Sequence, residues 1–210
     1  SFILTPVDLI TNGSFSSNLS DWTTVTGSPF HTKARGDGAA RLNASEISQA
    51  ISTVVGKDYV VRTRTFGGDI TIKIGTTSGG TQLVNSTLSI DNIGDGEYNT
   101  TRFTSTTSTI YIGFANTDSA NYDIETVETT ENFAPQRLAY LSYNEWLDSH
   151  SEGDLNTTSS SQFSLPRYVY RTQDNSFYGF SPIPDKSAYT VSFDYYKTHT
   201  DLLAYNDLPT

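Results

Sequence analysis

The residues able to do chemistry are few in kind. Cysteine is absent, so thiol nucleophiles, disulfides and thiolate metal sites are excluded. The three histidines, His31, His150 and His199, stand far apart with no H-E-x-x-H or other paired metal spacing. They read as surface or packing residues. No G-x-S-x-G elbow is present, and no spacing favours a Ser/His/Asp site. Two carboxylate pairs, Asp91/Asp95 and Glu145/Asp148, would serve a glycosidase only if set about 5–9 Å apart across a cleft. The first pair lies in DNIGDG, a polar turn without the Glu that an EF-type calcium loop carries at its twelfth position. The expectation is a protein that is not an enzyme, with no catalytic residues and no cofactor beyond a possible calcium ion.

Aromatic residues offer a different chemistry. Trp22, Phe30 and Tyr111 could each stack a flat ring on the C–H face of a sugar, and are the candidate sugar-stacking residues. Trp22 equally suits a core or a sheet edge. A second set, Tyr140, Tyr143, Trp146, Tyr168, Tyr170, Tyr195 and Tyr196, is dense for so short a segment. Buried Tyr and Trp need a partner for O–H or N–H, so they collect at interfaces. These are the interface candidates, and packing inside a small domain is the competing reading.

The totals narrow the partners. The chain has 210 residues and a net charge of −10, which argues against a basic nucleic-acid surface. Charged residues make up 17%, below the usual quarter; Thr, Ser and Asn carry the polarity instead. That composition suits β-surfaces and sugar- or protein-contacting faces of secreted or virion proteins. No run of about 18 apolar residues predicts a membrane span. The chain opens on Ser1, lacks methionine and ends on DLPT, and is expected to be a processed or partial chain.

Periodicity supplies the elements that must position these residues. Ile70, Ile72 and Ile74 alternate with Thr71 and Lys73; Ile110, Ile112 and Phe114 form another inward row. Strands are expected at Val7–Ile10, Gly36–Leu42, Ile47–Val55, Tyr59–Phe66, Asp69–Gly75, Gln82–Val84, Glu97–Thr104, Thr109–Ala115 and Asn121–Val127, with Gly67-Gly68 as a hairpin turn. Residues 1–128 thus form a β-sandwich or jelly roll. Residues 129–136 read as a linker. In 137–210, Arg137–Leu141 predicts a strand, and Ser142 with Glu145 has capping-box spacing for a short helix. Pro166–Thr172, Phe177–Ser181 and Ala188–Tyr196 predict a small antiparallel meander, turned at Asp174-Asn175. An exit arm follows. Such a meander is too small to bury a core alone. Its edge invites pairing with a neighbouring subunit.

Two resemblances follow from motifs. LITNGSFSSNLSDWT, ISQAISTVVGKDYVVRTRT and NYDIETV resemble carbohydrate-binding modules of the galactose-binding-like jelly-roll type, over residues 7–128. The resemblance implies a sandwich, a surface glycan as ligand, and a structural calcium using the closing acid, here Asp123. The family's opening acid is replaced by Ser16. RLAYLSYNEWLDSH, LPRYVYRT, FYGFSPIPDKSAYTVSFDYYK and the DLLAYNDLP tail resemble the β-rich part of tailed-phage head-to-tail adaptor (connector) proteins. This implies a virion location at the head-to-tail junction or tail, a ring of like subunits, and portal or tail proteins as neighbours. The alternative is a glycan-binding accessory module of a secreted enzyme or adhesin.

Overall fold

A computed structural model describes residues 2–35, 37–89, 96–150, 164–173, 177–184 and 189–194, without the side chains of 34–37. The described residues are almost entirely β-structure with one short helix. They fall into two compact units.

The larger unit covers Pro6–Ala134 and is a sandwich of two five-stranded antiparallel sheets. One sheet runs β2-β5-β10-β7-β8, from β2 (Thr23–Thr26), β5 (Ser45–Ser52), β10 (Thr109–Asn116), β7 (Ile70–Gly75) and β8 (Val84–Leu88). The other runs β3-β4-β11-β6-β9, from β3 (Phe30–Arg35), β4 (Asp37–Leu42), β11 (Tyr122–Glu131), β6 (Asp58–Phe66) and β9 (Glu97–Thr104). Alternation places Ile47, Ile72, Ile112 and Phe114 of the first sheet and Leu42, Tyr59, Val61 and Ile124 of the second in one shared core. Each buried aliphatic or aromatic side chain contributes about 1.5–3 kcal/mol, so this unit carries its own core.

Several expectations change. Val7–Ile10 is not a strand. It runs beside β11 while the Asp8 carboxylate accepts from the Ile10 and Thr129 amides at 3.0 and 2.8 Å. Gly67-Gly68 does not close a hairpin, because β6 and β7 lie in opposite sheets. Both strands still turn their apolar residues into the one shared core, from opposite sides. β2 and β3 were not legible as strands. Thr129–Glu131 belongs to β11, so the connection between the units is shorter than 129–136.

The smaller unit holds residues 2–5 and the described parts of 135–184 and 190–194. Its sheet order is β14-β13-β12-β1-β15, from β14 (Tyr178–Ser181), β13 (Tyr168–Arg171), β12 (Gln136–Leu141), β1 (Phe2–Pro6) and β15 (Tyr189–Phe193). β13 and β14 form the expected antiparallel hairpin, but β12 joins β13 in parallel. The segment expected as the third meander strand lies at the far edge, next to β1. No strand was expected at Phe2–Pro6, within the range assigned to the sandwich; β1 pairs there with β12.

The helix α1 (Tyr143–Ser149) starts where its cap predicts. The Ser142 amide donates to Glu145 at 2.8 Å and the Glu145 amide donates to the Ser142 hydroxyl at 3.3 Å. These bonds from Ser142 lower the Glu145 pKa below the ordinary carboxylate value. The expected turn at Asp174-Asn175 lies outside the described residues.

Candidate functional site

The face of the β3-β4-β11-β6-β9 sheet turned away from the core carries the most organised polar chemistry. One row crosses four strands in register: Phe30, Arg41, Asp123 and Phe66. Arg41 donates to both Asp123 oxygens at 2.7 Å, a bidentate pair. The hydrogen bond to Asp123 raises the Arg41 pKa against the opposing effect of desolvation. The next row brings Thr126, Arg64 and Tyr98 together. The Arg64 guanidinium lies 4.9 Å from the Phe66 ring centre and 5.1 Å from that of Tyr98. It donates to Glu125 at 2.7 Å. Two cation–π contacts and an ion pair hold the Tyr98 ring, which is 73% exposed, in a defined place.

Two local devices build this site. The register of β11 slips between Ile124 and Thr126. This bulge lets Glu125 and Thr126 both line the outer depression while Ile124 and Val127 stay in the core. The opening motif supplies the second. Asn12 and Phe15 have left-handed backbone, with φ of 52° and 48°, and Phe15 is fully buried. Its carbonyl lies so close over Gly38 that a Cβ there would collide with it. The turn is thereby pinned across β4, with Ser14 and Ser16 exposed on either side of Phe15. Gln49 anchors the same segment: its amide group bonds both ways with Thr11 at 2.8 Å and donates to the Asp21 carbonyl at 3.0 Å. The result is an open depression of about 510 Å³, lined by Ser14, Ser16, Lys33, Arg64, Tyr98 and Glu125 among others. That lies within the usual size of a small-molecule site.

The three predicted stacking residues do not form one platform. Phe30 lies on this face, 47% exposed, with the Arg41 guanidinium 5.9 Å from its ring centre. Tyr111 is on β10, in the opposite sheet, and its side chain faces away from the core. Trp22 is 6% exposed and packs on Phe15 and Phe114, with its indole N–H donating to the Asn12 carbonyl. An indole so enclosed offers no face to a sugar in solution, which corrects that expectation. Calcium at Asp123 is also corrected, because Arg41 occupies both carboxylate oxygens. Among the described residues no group of three His, Asp or Glu could hold a metal ion. Tyr98 and Arg64 were missed as site residues. The signal was available in the alternation of Tyr98 with Thr100 and Arg102 along β9, which puts the tyrosine on the polar face.

Of the predicted interface residues, Tyr143, Trp146, Tyr168 and Tyr170 gather around α1. Trp146 stacks on Tyr170 at 4.2 Å and 12°, and the His150 ring meets Tyr168 edge-on at 5.0 Å. Tyr140 stands on the other face of the sheet, in register with Val169, and is 58% exposed. Tyr195 and Tyr196 lie outside the described residues. The structure adds a cluster that sequence reasoning did not single out: Phe2, Tyr178 and Phe193, with ring centres 5.2 to 6.3 Å apart. Tyr178 and Phe193 remain about half exposed.

No protein-family model and no curated protein matches the sequence. Solved structures with similar backbones include the enzymatically active domain of bacteriophage CBA120 tailspike protein 4, at 13% identity and a TM-score of 0.46 over 60% of this chain. The match spans 21% of that tailspike chain. The TmCBM61 module solved with β-1,4-galactotriose is 17% identical, with a TM-score of 0.43 over 60% of this chain and 99% of its own. The CBM22-1 xylan-binding domain from Paenibacillus barcinonensis is 12% identical, with a TM-score of 0.41 over 62% of this chain and 97% of its own.

Proposed function

We propose that the chain is a non-enzymatic glycan-binding protein of a virion or extracellular surface, holding an oligosaccharide across the outer face of the β3-β4-β11-β6-β9 sheet. One observation carries this reading: exposed aromatic rings at Phe30 and Tyr98 flank a row of fixed, ion-paired hydrogen-bonding groups. Aromatic faces accept the C–H face of a pyranose, and paired Arg and Asp or Glu side chains suit neighbouring hydroxyls. From β3 to β9 is four strand spacings, about 19 Å, a span that suits a short oligosaccharide better than a single sugar. The groups are held before any ligand arrives, which lowers the ordering cost of binding. The experiment is a glycan array probed with the full chain and with Tyr98→Ala. Binding that falls by tenfold or more in the variant, with unchanged thermal melting, supports the reading; an array without signal rejects it.

In its more specific form, the protein is a structural component of a tailed phage at or near the head-to-tail junction. It would form a ring of like subunits against portal or tail proteins, with the sandwich facing outward. This form rests on the sequence resemblance of 137–210 to adaptor proteins. It is also favoured by the small unit's surface. Among the described residues its buried aliphatic and aromatic side chains are Leu4, Leu138, Trp146 and Val169, while Tyr140, Phe177, Tyr178 and Phe193 are exposed. Exposed aromatics grouped on so small a unit suit a protein partner. The alternative, a module of a secreted enzyme or adhesin, keeps the same glycan face without the ring.

A further inference from the structure

The charges on the outer sheet face run against those of the whole chain. The chain carries 13 Lys and Arg against 23 Asp and Glu. Yet among the described side chains this one face holds five of the cations, Lys33, Arg41, Arg62, Arg64 and Arg102. It holds four of the acids, Asp58, Asp123, Glu125 and Glu128. The face is therefore slightly positive on a strongly negative protein.

Pairing and position together decide which cation is available in the depression; Arg102, also exposed, lines a separate hollow with Asp58, Phe103 and Thr104. Arg41 is held by Asp123 and Arg64 by Glu125, each at 2.7 Å. Arg62 lies 3.7 Å from Glu128. Lys33 is exposed, lines the same depression as Ser14, Ser16 and Tyr98, and has no carboxylate partner among the described residues. A lysine is a compact charge with three donors on a flexible stem, and it stands here among hydroxyl groups beside an exposed aromatic ring. We propose that the face selects an acidic oligosaccharide, with one sugar carboxylate received at Lys33 while the rings lie towards Tyr98. The inference rests on the glycan-binding reading above and names its ligand class. One uncommitted cation among the described residues of the depression fits one carboxylate per few sugars. A densely sulfated chain would meet Asp123, Glu125 and Glu128 as repulsive neighbours. The rest of the negative surface would disfavour loose, non-specific capture of polyanions, so selection falls to the depression itself.

The test uses the full chain and matched glycan pairs, each acidic member beside its neutral counterpart: galacturonate with galactose oligomers, and sialylated with asialo glycans. The acidic member of at least one pair is expected to bind about tenfold tighter, the worth of a hydrogen bond to a charged group. The gap should narrow as salt is raised. Lys33→Gln should close most of the gap by weakening the acidic member more than the neutral one, while Tyr98→Ala weakens both members alike. Equal affinity within every pair, or a gap that Lys33→Gln leaves intact, overturns the acidic preference alone. No binding to any glycan, or binding indifferent to Tyr98→Ala, overturns the glycan-binding reading beneath it. Thermal melting of both exposed-site variants should match the parent.

Discussion

Asp123 shows how one residue's role depends on what folding brings beside it. In the linear chain it is an acid in a closing strand, compatible with calcium. In the fold it is 82 positions from Arg41, which donates to both of its carboxylate oxygens. The Asp123 side chain is 5% exposed and that of Arg41 is 22% exposed. Removing one partner of such a pair leaves a buried charge without its bidentate counter-ion. Arg41→Leu should therefore lower stability by about 3 kcal/mol, read as a fall in the urea midpoint at unchanged slope. The Arg62–Glu128 pair on the same face is a control. Its side chains are 53% and 43% exposed at 3.7 Å, so Glu128→Ala should change stability by about 0.5 kcal/mol or less. Equal effects from the two substitutions would contradict this assignment of burial. Phe30 and Trp22 offer the same aromatic chemistry in the sequence, but Phe30 lies exposed on the outer face and Trp22 is spent on the core. Residue type gives the chemistry available; the neighbours decide whether solvent can reach it.

At the scale of elements, the opening turn and the β11 bulge shape the depression. The start of the turn is written locally, since Asn12-Gly13 favours a tight reversal. Its consequence for Gly38 was not visible, because the contact joins positions that no local pattern links. Gly38→Ala would set a methyl group against the Phe15 carbonyl. The turn would have to lift, dragging a fully buried phenylalanine with it. The expected loss is about 3 kcal/mol or more, and at temperatures where the variant stays folded, its glycan binding should fall because Ser14 and Ser16 move. A melting temperature within one or two degrees of the parent would refute this account. The bulge was equally hidden: Ile124, Glu125, Thr126 and Val127 read as plain alternation with one polar residue too many. That extra residue is what brings Glu125 to Arg64.

For the whole molecule, the two units differ in how well their described residues fill a core. The sandwich encloses rows of isoleucine and aromatic residues, whereas the small sheet leaves Tyr140, Phe177, Tyr178 and Phe193 exposed. On the assembly reading, light scattering after size-exclusion chromatography should show a species heavier than 23.1 kDa at micromolar concentration. The double substitution Tyr178→Ser with Phe193→Ser should shift it towards monomer while the sandwich's melting transition stays in place. A parent protein that is monomeric throughout would remove the ring and leave the glycan face untouched.

The amino-acid sequence by itself determined that this is a β protein, where most of the sandwich strands lie, and where the short helix is capped. Alternation, turn residues and caps are short-range signals, written within a few positions of where they act. Only the tertiary structure decided that β6 and β7 part into opposite sheets, that β1 crosses to the small unit, and that Tyr98, Arg64 and Glu125 meet beside Lys33. Each of these depends on which distant strand supplies the missing hydrogen bonds and the missing half of a core. The period of a strand tells which side chains share a face, but not what stands across from it.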